Sequence, residues 1–363
     1  VKRVLITGLS SYWGGRLAQA LERDPDIETV IGVSTDDPSC ELERAEFVRV
    51  GAQHALLRRI VQAAEIDTVI DTRMVVDSAS ASPKDAHENN VIGTMNILTA
   101  CSGPDSPVTK FIFKSSAHYY GTERDDPAFF TEEMRRPHPP RTPIEKDIVD
   151  AERAVEAFAQ RNRDVTVTVL RFCNALPGLE TSYTRLLSLP GIPSILGFDP
   201  RLQFIHEDDI VGVLRHAIYQ ELPGVFNAGA DGVLALSEVA GLLGRPLLPL
   251  IPPWGAGLAL TPLKRLGLRI PDEMLSQLRF GRGLDNRKLK ATGYDFRFTT
   301  RETVQKLGEH LRVGHLRAAD GAGYVYEREV EEFLRRSPSV KSQRDTGPRN
   351  RPPRERSRAK TAN

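Results

Sequence analysis

The residues most able to do chemistry lie in three short stretches. The first is Thr7-Gly8-Leu9-Ser10-Ser11-Tyr12-Trp13-Gly14, placed between an apolar run, Val4-Leu5-Ile6, and a helical pattern over Arg16 to Arg23. A glycine turn there brings backbone N–H groups and a helix N-terminus up to a pyrophosphate. Thr7, Gly8, Ser11, Tyr12, Trp13 and Gly14 are therefore the residues expected to line a dinucleotide site. Ser11 stands where the middle glycine of such loops is expected, so the context of strand, loop and helix carries the reading. The second stretch is Lys114 to Tyr119. Lys114 and Ser116 are two apart at a strand end, which puts them on one face. His118 and Tyr119 are either proton carriers or buried packing. The third is Asp71-Thr72-Arg73-Met74. Arg73 would pair with a pyrophosphate, fill the groove, or bridge to Asp71 or Asp77. No His, Cys and Asp residues stand at metal-ligand spacing, so no metal is expected.

The elements that must position these groups alternate. Apolar runs at Thr29 to Val33, Phe47 to Val50, Thr68 to Ile70 and Phe111 to Phe113 read as strands. Helical patterns cover His54 to Ala64, Ile92 to Ala100 and Ile144 to Ala159, and Val165 to Leu170 is a further strand. That alternation predicts an α/β fold with a doubly wound parallel sheet. Residues 1–175 are read as the dinucleotide-binding domain, with returns at about 202–230, where Leu202 to Ile205 and Gly224 to Asn227 look like sheet or sheet edge. Residues 176–336, richer in proline and glycine, are read mainly as a smaller C-terminal substrate lobe that ends in an amphipathic helix, Gly323 to Arg336. Pro246 to Leu263 is apolar but broken by prolines, and reads as buried loop or as a membrane-surface or partner patch.

The chain has 363 residues, 40% of them hydrophobic and 27% charged, with a net charge of +1. From Lys341 onward eight Lys/Arg stand against two Asp/Glu, so this end carries +6 and the first 340 residues −5. A net-acidic body argues against a folded nucleic-acid-binding surface. Residues 337–363 read as a disordered basic tail. Cys40, Cys101 and Cys173 are far apart, as reduced thiols are. No signal peptide and no run of 18 apolar residues is seen, so a cytoplasmic protein without a transmembrane segment is expected.

The sequence resembles the extended short-chain dehydrogenase/reductase family, near UDP-galactose 4-epimerase and the sugar-nucleotide dehydratases. The ordered motifs are the glycine loop, Asn90-Val91-Ile92-Gly93-Thr94, Ser115-Ser116-Ala117-His118-Tyr119-Tyr120-Gly121, Arg171-Phe172-Cys173-Asn174 and Phe204-Ile205-His206-Glu207-Asp208-Asp209, then Gly224-Val225-Phe226-Asn227 and Asp285-Asn286-Arg287-Lys288-Leu289. The resemblance implies a Rossmann domain that binds NAD, with NADP disfavoured. It implies a small-molecule substrate such as a sugar nucleotide, and a homodimer built on His87 to Ala100 and Ile144 to Ala159. It carries Asn90 over as a cofactor-binding residue and Ser116 as the serine that hydrogen-bonds the reacting hydroxyl. At the end of the second strand the family's ribose-binding acid becomes Ser34, with Asp36 and Asp37 just beyond. Asp36 would either reach the ribose or lie in a solvated turn.

The resemblance also exposes a gap. The family's chemistry uses a tyrosine and a lysine four residues apart on a helix, the lysine lowering the tyrosine's pKa. Aligned on Glu152, those positions hold Ile144 and Ile148. No tyrosine lies between Tyr120 and Tyr183, and no tyrosine in the chain has a lysine four residues later. Lys114 would either supply the missing positive charge or pair with a carboxylate, as a lysine at a strand end more often does. Two main functional readings follow, beside a third that keeps the fold but runs a different reaction through Lys114, His118 or Tyr119. One is an enzyme of the family type, acting on a sugar nucleotide or similar alcohol. The other is a non-catalytic protein that binds a dinucleotide or sugar nucleotide as a sensor or scaffold.

Overall fold

The structure, a computed structural model, describes residues 2–51, 53–254 and 270–319. The chain divides into two compact units, Val1–Leu311 and Arg312–Asn363. Gly323 to Arg336, the basic tail and residues 255–269 of the proline-rich apolar segment lie outside the described residues.

Seven parallel strands form the centre of the first unit: β1 (Lys2–Thr7), β2 (Ile27–Ser34), β3 (Glu46–Arg49), β4 (Thr68–Asp71), β5 (Lys110–Ser116), β6 (Thr166–Phe172) and β7 (Gly224–Ala228). Their order across the sheet is β7-β6-β5-β4-β1-β2-β3. The chain winds outward from β1 to β3, then returns beside β1 and winds the other way. That reversal between β1 and β4 opens a crevice at the carboxyl ends of the strands. Val4, Leu5 and Ile6 of β1 are at most 1% exposed. Such a continuous apolar run is what a sheet covered on both faces requires.

One face is covered by α1 (Tyr12–Glu22) and the other by α2 (His54–Ala63). A short α3 (Pro83–His87) leads through a wide π turn, Glu88–Gly93, into α4 (Thr94–Cys101). The helix expected to begin at Ile92 thus begins earlier and is interrupted. α5 (Pro143–Arg161) starts with a proline in its first turn, and Thr142 caps it by accepting from the Glu145 N–H. Its apolar stripe of Ile144, Ile148, Ala151, Val155 and Phe158 is buried within the chain, among Ile97, Phe111 and Phe113. That side of α5 is core.

Beyond β6, α6 (Ser182–Ser188), α7 (Glu207–Tyr219), α8 (Leu236–Leu242) and α9 (Asp272–Phe280) follow. α7 carries Glu207, Asp208 and Asp209 in its first turn, where the helix dipole favours acids. It joins α1 through Arg16, bonded to Glu207 at 2.7 Å and to Asp208 at 2.6 Å. The expectation that Leu202 to Ile205 returns to the main sheet or its edge is corrected. Arg201–Leu202 pairs with Leu234–Ala235, and Phe204–His206 pairs with Asn174–Leu176, in separate two-stranded sheets. Gln203, 2% exposed, turns its amide inward to the carbonyls of Ala230 and Leu284, at 2.7 and 3.2 Å, and so divides the run. Leu247–Ile251, within the proline-rich apolar segment, is also a strand.

Candidate functional site

Two recesses open at the carboxyl end of the sheet. The larger, of about 650 Å³, lies at the ends of β1, β2 and β4 and is closed on one side by the segment from Asp85 to Ile97. Thr7, Gly8, Ser11, Ser34, Asp36 and Arg73 are among its walls. Its size falls in the range of small-molecule sites. Gly8 has φ +83°, which glycine adopts without strain. Ser11 caps α1, its Oγ accepting from the Gly14 N–H at 3.1 Å. A side chain at Gly14 would collide with the Gly8 carbonyl, so glycine lets α1 start directly against the loop.

The other loop residues serve elsewhere. Tyr12 donates to Glu207 and accepts from Arg16, against α7. Trp13 lines the second recess. Asn90 is 1% exposed, and its amide bonds both the N–H and the C=O of Val75 at 2.8 Å, pinning the chain after β4. Its neighbour Asn89 reaches the groove instead.

Arg73 adopts the third arrangement open to it, a bridge to Asp71. Nη2 meets Oδ2 at 3.0 Å, and Nε meets Oδ1 at 3.0 Å. Nη1 reaches the carbonyl and the side chain of Asn89, both at 3.3 Å. The Asn89 carbonyl belongs to the π turn, so the interrupted helix and the arginine explain each other. Asp71 is 1% exposed and also accepts from Thr7 and Thr94. The Arg73 side chain passes between Gly8 and Gly93: a side chain at Gly8 would collide with its Cγ, and one at Gly93 with its guanidinium. Arg73 is therefore a neutralised wall of the groove.

The second recess, of about 80 Å³, lies at the ends of β5 and β6, and α6 and α9 contribute to it. Lys114, Ser116 and His118 line it together with Trp13, Phe172 and Tyr183. Lys114 is 4% exposed, and its Nζ sits 5.3 Å over the Trp13 ring and 5.5 Å over Phe172. Burial lowers its pKa to about 8 against the opposing pull of Asp71. The Ser116 Oγ accepts from the His118 N–H at 3.2 Å, which leaves its own proton to donate. Burial, with Arg282 and Arg136 nearby, holds the His118 pKa well below its ordinary value, so the ring is neutral. Tyr119 does not line this recess; its ring carries the Arg171 guanidinium at 3.5 Å.

Sequence reading missed the supporting residues Tyr183 and Gln277, and left Asn174 of the Arg171-Phe172-Cys173-Asn174 motif without a role. Gln277 Oε1 accepts from both the Tyr183 hydroxyl and the Asn174 amide. Gln277 lies about a hundred residues from both, and a single polar residue in a helical pattern gives no sign of such pairing. The fold also gathers Asp125, Asp126 and His138, which are separated in sequence, with His138 Nε2 2.8 Å from Asp125. The cluster is partly exposed and lies outside both recesses. Among the described residues no helix is long and apolar enough to cross a membrane.

The chain resembles several solved structures of the same architecture. It is 22% identical to MoeE5 in complex with UDP-glucuronic acid and NAD, with a TM-score of 0.65 over 86% of this chain and 99% of that one. It is 20% identical to UDP-glucose 4-epimerase of Thermotoga maritima with UDP-glucose, with a TM-score of 0.64 over 86% and 99%. Uncharacterized proteins of Mycobacterium bovis and Mycobacterium tuberculosis are each 34% identical over 314 residues, 83% of this chain and 82% of theirs. Residues 4–229 match the NAD dependent epimerase/dehydratase family. The crevice between β1 and β4, the glycine loop beside it and these likenesses agree: the chain belongs to the NAD dependent epimerase/dehydratase family.

Proposed function

We propose that the chain binds NAD in the larger groove and takes a sugar nucleotide or similar alcohol into the recess beside Lys114 and Ser116. The observation that carries this reading is the groove at the strand reversal, walled by Gly8, Ser11 and Asp36. These residues fit the cofactor. The loop offers backbone N–H groups at the start of α1, and the Asp71 carboxylate neutralises Arg73 beside it. Bound NAD supplies a hydride acceptor. Ser116 would donate a hydrogen bond to the substrate oxygen, and the Lys114 ammonium would favour negative charge developing there. Asp36 is exposed on the groove wall, where it would repel the extra phosphate of NADP. Asp36→Ala is expected to narrow the preference for NAD over NADP by up to about tenfold in paired calorimetric titrations. An unchanged ratio would remove Asp36 from the site.

A positioned acid–base pair is worth about 10²–10⁴-fold in rate. Turnover without the tyrosine–lysine pair is therefore expected to be slow. The burial of Ile144 and Ile148, at 2% and 0% exposure, favours a second reading in which ligands bind without turnover. The test is to denature purified protein, identify released dinucleotide by mass spectrometry, and assay sugar-nucleotide conversion. Bound NAD with slow conversion supports the first reading. Bound NAD with no conversion supports the second.

A further inference from the structure

We propose that the recess beneath Lys114 takes a ligand group carrying negative charge, a carboxylate first of all, with the Lys114 ammonium as its counter-ion. This rests on the proposed ligand site and gives the buried end of the ligand a charge.

The two buried lysines of β5 make the argument. Lys110, 1% exposed, is fully engaged: its Nζ donates to the carbonyls of Ile218 and Gln220, at 2.9 and 2.8 Å, and to Glu221 at 2.9 Å. Lys114 lies four residues on and is 4% exposed. Among the described residues it has aromatic rings beside its Nζ but neither a hydrogen-bond acceptor nor a carboxylate in bonding reach. A buried cation with unused donors is costly, and a charged acceptor is the group that relieves it.

The acids around it are committed elsewhere. Asp71, on β4, is bonded to Arg73, Thr7 and Thr94. Asp77 accepts from the N–H and hydroxyl of Ser182, at 2.8 and 3.0 Å, and from the Ala79 N–H at 2.9 Å. Glu273, on α9, accepts from the Ser78 N–H at 2.9 Å, and its burial raises its pKa. On the turn after β5, His118 is neutral, and the Arg282 charge lies close enough to hold it so. Cys173 and Tyr183 both have raised pKa values and are uncharged. Among the charged groups lining the recess, Lys114 is therefore the one whose donors are free to meet a ligand. A volume of about 80 Å³ admits the charged end of a ligand while the rest extends outward.

A carboxylate on Nζ stabilises the ammonium and raises its pKa from about 8. Binding near pH 8 would then take up protons, and affinity would fall as pH rises through that value. Trp13 reports directly on the site. The chain has two tryptophans, and the other, Trp254, is 87% exposed, so Trp254→Phe leaves Trp13 as the sole emitter.

The experiment titrates glucuronate, acetate, glucose and UDP-glucose into the full chain carrying Trp254→Phe. Trp13 fluorescence is followed at pH 7 and pH 9, with proton uptake read by calorimetry in two buffers. Glucuronate should bind at least about tenfold more tightly than glucose at pH 7. That preference should shrink at pH 9, vanish in Lys114→Met and persist in Lys114→Arg. Glucuronate and glucose binding alike, or a preference surviving Lys114→Met, overturns the inference. So does the absence of any saturable response to the two acids. UDP-glucose binding without an acid preference leaves the sugar-nucleotide reading standing alone. A Lys114-dependent acid response without UDP-glucose binding supports the inference and removes that reading.

Discussion

Ile148→Lys is expected to destabilise the fold by about 4–7 kcal/mol, and Ile144→Tyr combined with it to restore no activity. Both isoleucines sit in the apolar layer between α5, α4 and the sheet, beside Ile97, Phe111 and Val155. Ile148 is fully buried. Lysines placed in such sites lose about 3–5 pKa units, each unit equivalent to about 1.36 kcal/mol. The cost approaches the whole stability of a typical domain, about 5–15 kcal/mol. Urea unfolding of Ile148→Lys against an Ile148→Met control measures it. A lysine variant as stable as the methionine one, with sugar-nucleotide turnover gained, would show that these positions face a polar site after all.

Glu152→Ala is expected to cost about 3–5 kcal/mol, with Glu152→Gln costing clearly less. Glu152 on α5 and Arg171 on β6 are 6% and 3% exposed. Arg171 Nη2 meets Glu152 Oε2 at 2.6 Å, and Nε lies 3.1 Å from both carboxylate oxygens. The Arg171 Nη1 has no partner even in the intact pair, so removing the acid strands the whole guanidinium. The same carboxylate accepts from Ser115, between Lys114 and Ser116. Arg171 also packs over the rings of Tyr119 and Tyr120. Losing Glu152 should therefore weaken ligand binding at the recess as well as the fold. Denaturant titration with Trp13 fluorescence reads both, and a loss below about 1 kcal/mol would show the pair to be well solvated.

β1, β2, β4 and β5 are legible in the sequence because each holds a short apolar run, and burial on both faces demands that pattern, whereas the edge strand β3 shows only half-buried Phe47-Val48. The glycine loop is legible from its position. The roles of its residues are not, because Tyr12 and Trp13 point to α7 and to the recess, contacts made with residues far away in the chain. Sequence leaves three partners open for Arg73, and spacing does not choose among them; the π turn that brings Asn89 to it leaves no apolar signature. Leu202 to Ile205 misleads because inward-facing Gln203 looks like the polar face of a strand. Simple alternation places Lys114 and Ser116 on one face, and both line the recess.

The most direct measurement of the central claim is calorimetry of NAD and NADP on the purified, ligand-stripped full chain. A dinucleotide groove at the strand reversal predicts saturable NAD binding, tighter than NADP binding and lost in Gly14→Val, whose side chain would drive α1 off the Gly8 carbonyl. Absence of binding by either dinucleotide at millimolar concentration would contradict it, removing hydride chemistry and the role assigned to the groove together.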